Sequence, residues 1–177
     1  MSAYLTWVAS LDSIKNTKEK TILELGLGEG TKILIEKFKM VYSFEVVKSD
    51  AWYKRCVEDY KSYSNWKSTF HSMSDIIGLD KADEECQIST GKTRNIEPMK
   101  LYFKLLEEFV SDIKNINVAL VDPGFHLRCE CVNYFIEKEI PIIIAHDTQG
   151  VYGYEQIKLP SNYTTTKFTD TTHYLKI

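Results

Sequence analysis

A chain of 177 residues, 44% hydrophobic and 27% charged, has the balance of an ordinary globular domain with one core and leaves little room for a second. Its formal net charge of −3 argues against nucleic-acid binding driven by bulk electrostatics, a local basic patch apart. Arginine occurs only at Arg55, Arg94 and Arg128, so forked phosphate recognition has few candidates.

Met1 to Ser10 has neither a basic start nor a long apolar core, so neither a signal peptide nor a membrane span is expected. The expected location is cytoplasmic, with Cys56, Cys86, Cys129 and Cys131 as reduced thiols. An amphipathic helix is expected over Tyr4–Ile14, with Tyr4, Trp7, Val8 and Leu11 on one face. Thr21–Leu25 is a strand that runs into glycines, and Thr31–Phe38 the helix after it. Met40–Val46 is a second strand, Asp50–Tyr60 a helix, and Trp66–Met73 a third strand. The charged stretch Asp80–Pro98 is expected to be a loop. Met99–Ile113 is an amphipathic helix with Leu101, Leu105, Phe109 and Ile113 on its face. Val118–Val121, Cys129–Lys138 and Ile140–Ala145 follow as strand, helix and strand. Tyr154–Leu159 and Thr171–Ile177 are then two strands joined by a turn at Pro160-Ser161-Asn162. Strands alternating with helices predict an α/β fold with a mostly parallel, doubly wound sheet, here ending in an antiparallel β-hairpin.

Glu24-Leu25-Gly26-Leu27-Gly28-Glu29-Gly30-Thr31 sits where a strand hands over to a helix. Glycines there permit a sharp turn and close backbone approach to a ligand, and the next helix offers free N–H groups. A dinucleotide fingerprint would want glycine at Thr31, the sixth position from Gly26. The acid-x-Gly-x-Gly-x-Gly spacing instead resembles the first motif of class I, Rossmann-like S-adenosylmethionine-dependent methyltransferases. That resemblance covers roughly residues 4–177, read as one domain over 1–177. It implies that Glu24, Gly26, Gly28 and Gly30 hold the methionine part of S-adenosylmethionine. Glu45, at the end of the second strand, would grip the ribose, the same logic that dinucleotide folds use. Ser72 and Met73 would lie near the adenine, although the family often has an Asp there and the nearest is Asp75.

Ligands of open α/β sheets lie beyond the carboxyl ends of the strands. Asp122-Pro123-Gly124-Phe125-His126 and His146-Asp147-Thr148 are two such ends. In one reading the chain is similar to small O-methyltransferases of the catechol type. Asp122, also beside the sulfonium, and Asp147 then hold Mg²⁺, with His126 or His146 as base. The family commonly has Asn or a second acid beside its last ligand, where this chain has His146 and Thr148. In the other reading, Asp122-Pro123-Gly124-Phe125 resembles the Asp-Pro-Pro-aromatic motif of amino methyltransferases, which act on an amino group of a base or amide. Gly124 replaces the second proline. Asp122 and Asp147 as plain caps, in a catalytically inactive binding domain, is the third reading.

The expected partner is a small-molecule acceptor, with nucleic acid second, no membrane, and a homodimer as an option. Cys129-x-Cys131 with His126 does not make a zinc site, because residues two apart on a helix diverge. Gly91-Lys92-Thr93 lacks the upstream glycine of a phosphate loop, although Lys92 or Arg94 offers charge to an anionic acceptor.

Overall fold

A computed structural model describes residues 6–48, 50–73, 76, 96–123, 127–149 and 154–177. Helix α1 (Thr6–Ser10) leads through a 3₁₀ turn at Leu11–Ser13 and another at Thr17–Glu19 into β1 (Thr21–Leu25). Helix α2 (Thr31–Lys37), β2 (Met40–Val47), α3 (Asp50–Tyr60), β3 (Trp66–Ser72) and α4 (Ile96–Ser111) follow. The chain continues through β4 (Ile116–Val121), α5 (Arg128–Glu137), β5 (Ile142–Ala145), a 3₁₀ turn at Tyr154–Gln156, β6 (Tyr163–Lys167) and β7 (Thr172–Lys176). The seven strands form one sheet in the order β3-β2-β1-β4-β5-β7-β6, parallel except for β7, which runs antiparallel to both neighbours.

Two hydrophobic layers cover the sheet. Trp7, Leu34, Ile35, Cys56 and Tyr60, from α1, α2 and α3, are buried with Ile22, Val41, Val118 and Ile144. Tyr102, Leu106, Val132 and Phe135, from α4 and α5, are buried with Leu23, Phe44, Ala119 and Ile143. Alternation along each strand serves both faces, as a sheet covered on both sides requires.

Three expectations need correction. The first helix breaks after Ser10, where the Ser10 and Ser13 hydroxyls donate to the carbonyls three residues back, a local bond that favours the tighter 3₁₀ turn. In α4 the fully buried pair is Tyr102 and Leu106, while Leu101, Leu105 and Phe109 are half-buried beside it. The apolar face is broad, and its centre lies one residue along from the expected stripe. The hairpin, finally, is not built from Tyr154–Leu159. Its first strand is the threonine-rich Tyr163–Lys167, and Lys167 pairs with Thr172 across a four-residue connection closed by Phe168 N–H to Thr171 O (2.8 Å). β-branched residues and a short loop outweigh the looser alternation upstream.

Candidate functional site

The parallel register pairs Leu25 with Phe44 and with Val121, and Val121 with Ala145. The next residue on each strand is therefore Gly26, Glu45, Asp122 or His146. These four stand at one level across β2, β1, β4 and β5, with neighbouring strands about 5 Å apart. Ladder bonds continue into that level, from Gly26 N–H to Phe44 O (3.0 Å), Asp122 N–H to Leu25 O (3.1 Å) and His146 N–H to Val121 O (3.1 Å).

At this level β1 turns. Gly26 has φ +93°, and a Cβ there would stand 2.2 Å from the Asp122 carbonyl oxygen, so only glycine fits. A Cβ on Gly30 would meet the Trp7 ring at 2.4 Å, which makes that glycine a packing requirement of α1. At Gly28 the nearest atom is a Trp52 ring carbon at 4.0 Å, and space stays open. The turn is pinned from beneath. The Thr31 hydroxyl accepts from Gly28 N–H (3.1 Å) and donates to Glu24 (2.9 Å), which also accepts from Ser43 (2.7 Å). Trp66 Nε1 donates to Ser43 in turn (3.0 Å). Helix α3 holds the turn from above, with Trp52 Nε1 donating to Leu27 O (2.7 Å) and Tyr60 to Gly28 O (3.0 Å).

Glu45 binds across this turn. Its Oε2 accepts from Leu27 N–H (2.7 Å) and its Oε1 from Val46 N–H (2.9 Å). Each oxygen keeps a further acceptor direction. Burial pushes the Glu24 carboxyl up to about 8 against the bonds from Ser43 and Thr31, and the Glu45 carboxyl up to about 7. Ser72 ends β3 half-buried, and Met73 is buried in the core cluster that holds Phe44 and Tyr102, so neither side chain joins the four at the common level.

At the ends of β4 and β5, Asp122, His146 and Asp147 bring one ligand atom each within 4.8 Å of one another. Arg128, at the start of α5 and buried, reaches into their midst. Its Nη1 lies 3.1 Å from Asp122 Oδ1, 3.0 Å from Asp147 Oδ2 and 3.2 Å from the His146 carbonyl. Asp147 holds a left-handed backbone (φ 55°), a conformation Asp tolerates better than most residues. The His146 ring faces Asp122 (3.2 Å), Asp147 (3.6 Å) and Asp170 (3.6 Å). Burial alone would lower its pKa, but the three carboxylates carry it above the ordinary 6.5. His126, Gly124 and Phe125 lie outside the described residues, as do Asp75, Lys92 and Arg94. Cys129 and Cys131 are buried and unbridged. His173, buried against Ser10 (2.8 Å), is held neutral, its pKa pulled down to about 4.

Asp122, His146 and Asp147 are a possible cation site, though nothing supports Mg²⁺ as the ion. A guanidinium nitrogen already lies between the two carboxylates that the catechol-type resemblance assigns to the ion. Sequence reasoning passed over Arg128, Asp170 and Thr31. The scarcity of arginine and the placing of one of three at a helix start six residues after Asp122 was the available signal for the first. Beside the cluster lies a cavity of about 560 Å³ lined by Thr148, Tyr154, Ile157, Lys167, Thr172 and Tyr174. Tyr154 forms part of its wall and donates to the His146 carbonyl (2.8 Å).

No family model matches the sequence, and no curated protein matches it. Among solved structures the chain is similar to an rRNA methylase from Streptococcus thermophilus. The TM-score is 0.57 at 13% identity, over 100% of this chain and 99% of that one. It is also similar to a fibrillarin/Nop5p complex structure (TM-score 0.55, 12% identity, 97% of this chain and 79% of that chain). A third likeness is to the Methanococcus jannaschii fibrillarin pre-rRNA processing protein (0.52, 11%, 91% and 67%). The shared feature is the fold, a Rossmann-like α/β sheet that ends in an antiparallel hairpin. Among the described residues, no helix is long and apolar enough to cross a membrane.

Proposed function

We propose that the chain is an S-adenosylmethionine-dependent methyltransferase, with its cofactor held across the strand ends at Gly26, Glu45 and Asp122. The carrying observation is the common level of those residues, where a left-handed glycine turn meets a strand-end carboxylate bonded to the backbone of that turn. The open space at Gly28 and the acceptor chemistry of Glu45 fit a nucleoside with an amino-acid tail. When bound, S-adenosylmethionine supplies a methyl group already activated by its sulfonium.

In this reading Glu24, Thr31 and Ser43 keep the turn's backbone in place, and Glu45 accepts from the ribose hydroxyls. The 560 Å³ cavity is of the size that takes a small molecule. Its described lining includes none of Asp122, His146 and Asp147, so the small-acceptor reading rests on those strand-end residues, with His146 as the group that takes the oxygen's proton. In this reading Arg128 supplies the positive charge beside Asp122 and Asp147. One observation favours a second acceptor, an amino group. Asp122 remains about one-third exposed (side chain 30%) and accepts hydrogen bonds in front of Pro123, as the Asp-Pro resemblance implies.

Thermal unfolding with S-adenosylhomocysteine and with NAD tests the reading. A ligand at 100 times its Kd stabilises by about 2.7 kcal/mol. Stabilisation by the first compound alone is expected; stabilisation by NAD alone, or by neither, contradicts it.

A further inference from the structure

We infer that Arg128 is the resident cation of the acceptor crevice. It is a positioning residue that holds Asp122 and Asp147 together and keeps a divalent ion out of a site these residues would otherwise form with His146. The inference does not depend on methyl transfer.

Three observations carry it. The Arg128 side chain is 8% exposed, so its charge is removed from water and has to be met by protein groups. One nitrogen, Nη1, lies at 3.0–3.2 Å from an oxygen of Asp122, of Asp147 and of the His146 backbone, which is the place a single small cation would take. Beside that nitrogen, Asp122, Asp147 and the His146 imidazole offer a donor set that manganese-like ions accept, with one ligand atom from each within 4.8 Å of the others. Asp170 adds negative charge on the far side of the imidazole. Taking Arg128 away removes the guanidinium that lies against both Asp122 and Asp147, and a divalent ion is a simple species that balances the two acids. A surface ion pair would not behave this way, because water would take up the charge.

The test uses the whole chain and Mn²⁺, whose electron paramagnetic resonance signal falls on binding. The parent protein is expected to leave the signal of submillimolar Mn²⁺ unchanged. Arg128→Met keeps an apolar stem for packing, and it should bind one Mn²⁺ at least about tenfold more tightly than the parent. Adding Asp147→Asn to that variant should abolish the gain. If Arg128→Met does not fold by itself, refolding it with Mn²⁺ gives the same decision: recovery supports the inference and failure overturns it. The inference is equally overturned if the parent binds Mn²⁺ as tightly as the variant, if the folded variant binds none, or if Asp147→Asn leaves its affinity unchanged.

Discussion

A Cβ at Gly26 would overlap the Asp122 carbonyl on a backbone that already has φ +93°. Left-handed strain and overpacking together make Gly26→Ala cost about 3 kcal/mol or more, roughly a 10 °C fall in melting temperature for a chain of this size. Glu24 carries a different prediction. Its folded pKa of about 8 lies above the ordinary 4.5, so the unfolded chain loses this proton first as pH rises. The associated stability is complete below pH 4.5 and is lost through to about pH 8. Glu24→Gln should remove that slope, so that urea denaturation finds the variant gaining on the parent by a few kcal/mol between pH 5 and pH 8. Its partner Thr31 was legible only as a departure from a dinucleotide motif. That its hydroxyl spans Gly28 N–H and Glu24 depends on the turn's three-dimensional path. His146 was legible as a strand-end residue; its raised pKa comes first from Asp122, then from Asp147, and last from Asp170, which the fold brings from the β6–β7 connection. If His146 takes the proton, activity rises with pH above 6.5, and Asp170→Asn moves that rise to lower pH in a pH–rate profile.

Between elements, α1 and the glycine turn fix each other through Trp7 and Gly30. Gly30→Ala is expected to cost 1–3 kcal/mol, that is, about the price of overpacking a rigid ring. In a Trp7→Leu background the cost should shrink, giving a coupling of at least about 0.5 kcal/mol in a double-mutant cycle. Strictly additive losses would detach the two. Strands β1 to β5 and the helices between them were legible because apolar runs and turns punctuate them clearly. The hairpin and its second strand were legible too, but its first strand was not, since Tyr154–Leu159 and Tyr163–Lys167 both carry β-forming residues. Only pairing against β7, with Thr172 opposite Lys167, decides between them. The face of α4 was misjudged by one position for a similar reason: a wide apolar surface leaves the buried centre to the sheet it meets.

Across the whole molecule, the sheet order aligns the ends of β2, β1, β4 and β5, and so assembles Gly26, Glu45, Asp122 and His146 from distant parts of the chain. Each of these was visible as a strand-end residue, while their common level follows from register, which sequence alone does not specify. Arg128 belongs to the same scale. A guanidinium delivered from α5 lies against the two strand-end acids. The central claim is that the β1 exit holds a sulfonium nucleoside. Titration calorimetry of the folded parent and of folded Gly28→Phe with S-adenosylhomocysteine tests it most directly, since a Cβ at Gly28 meets nothing nearer than a Trp52 ring carbon at 4.0 Å. Saturable binding by the parent, weakened at least about a hundredfold in the variant, is the predicted result; no binding by the parent, or equal affinity in both, would contradict it.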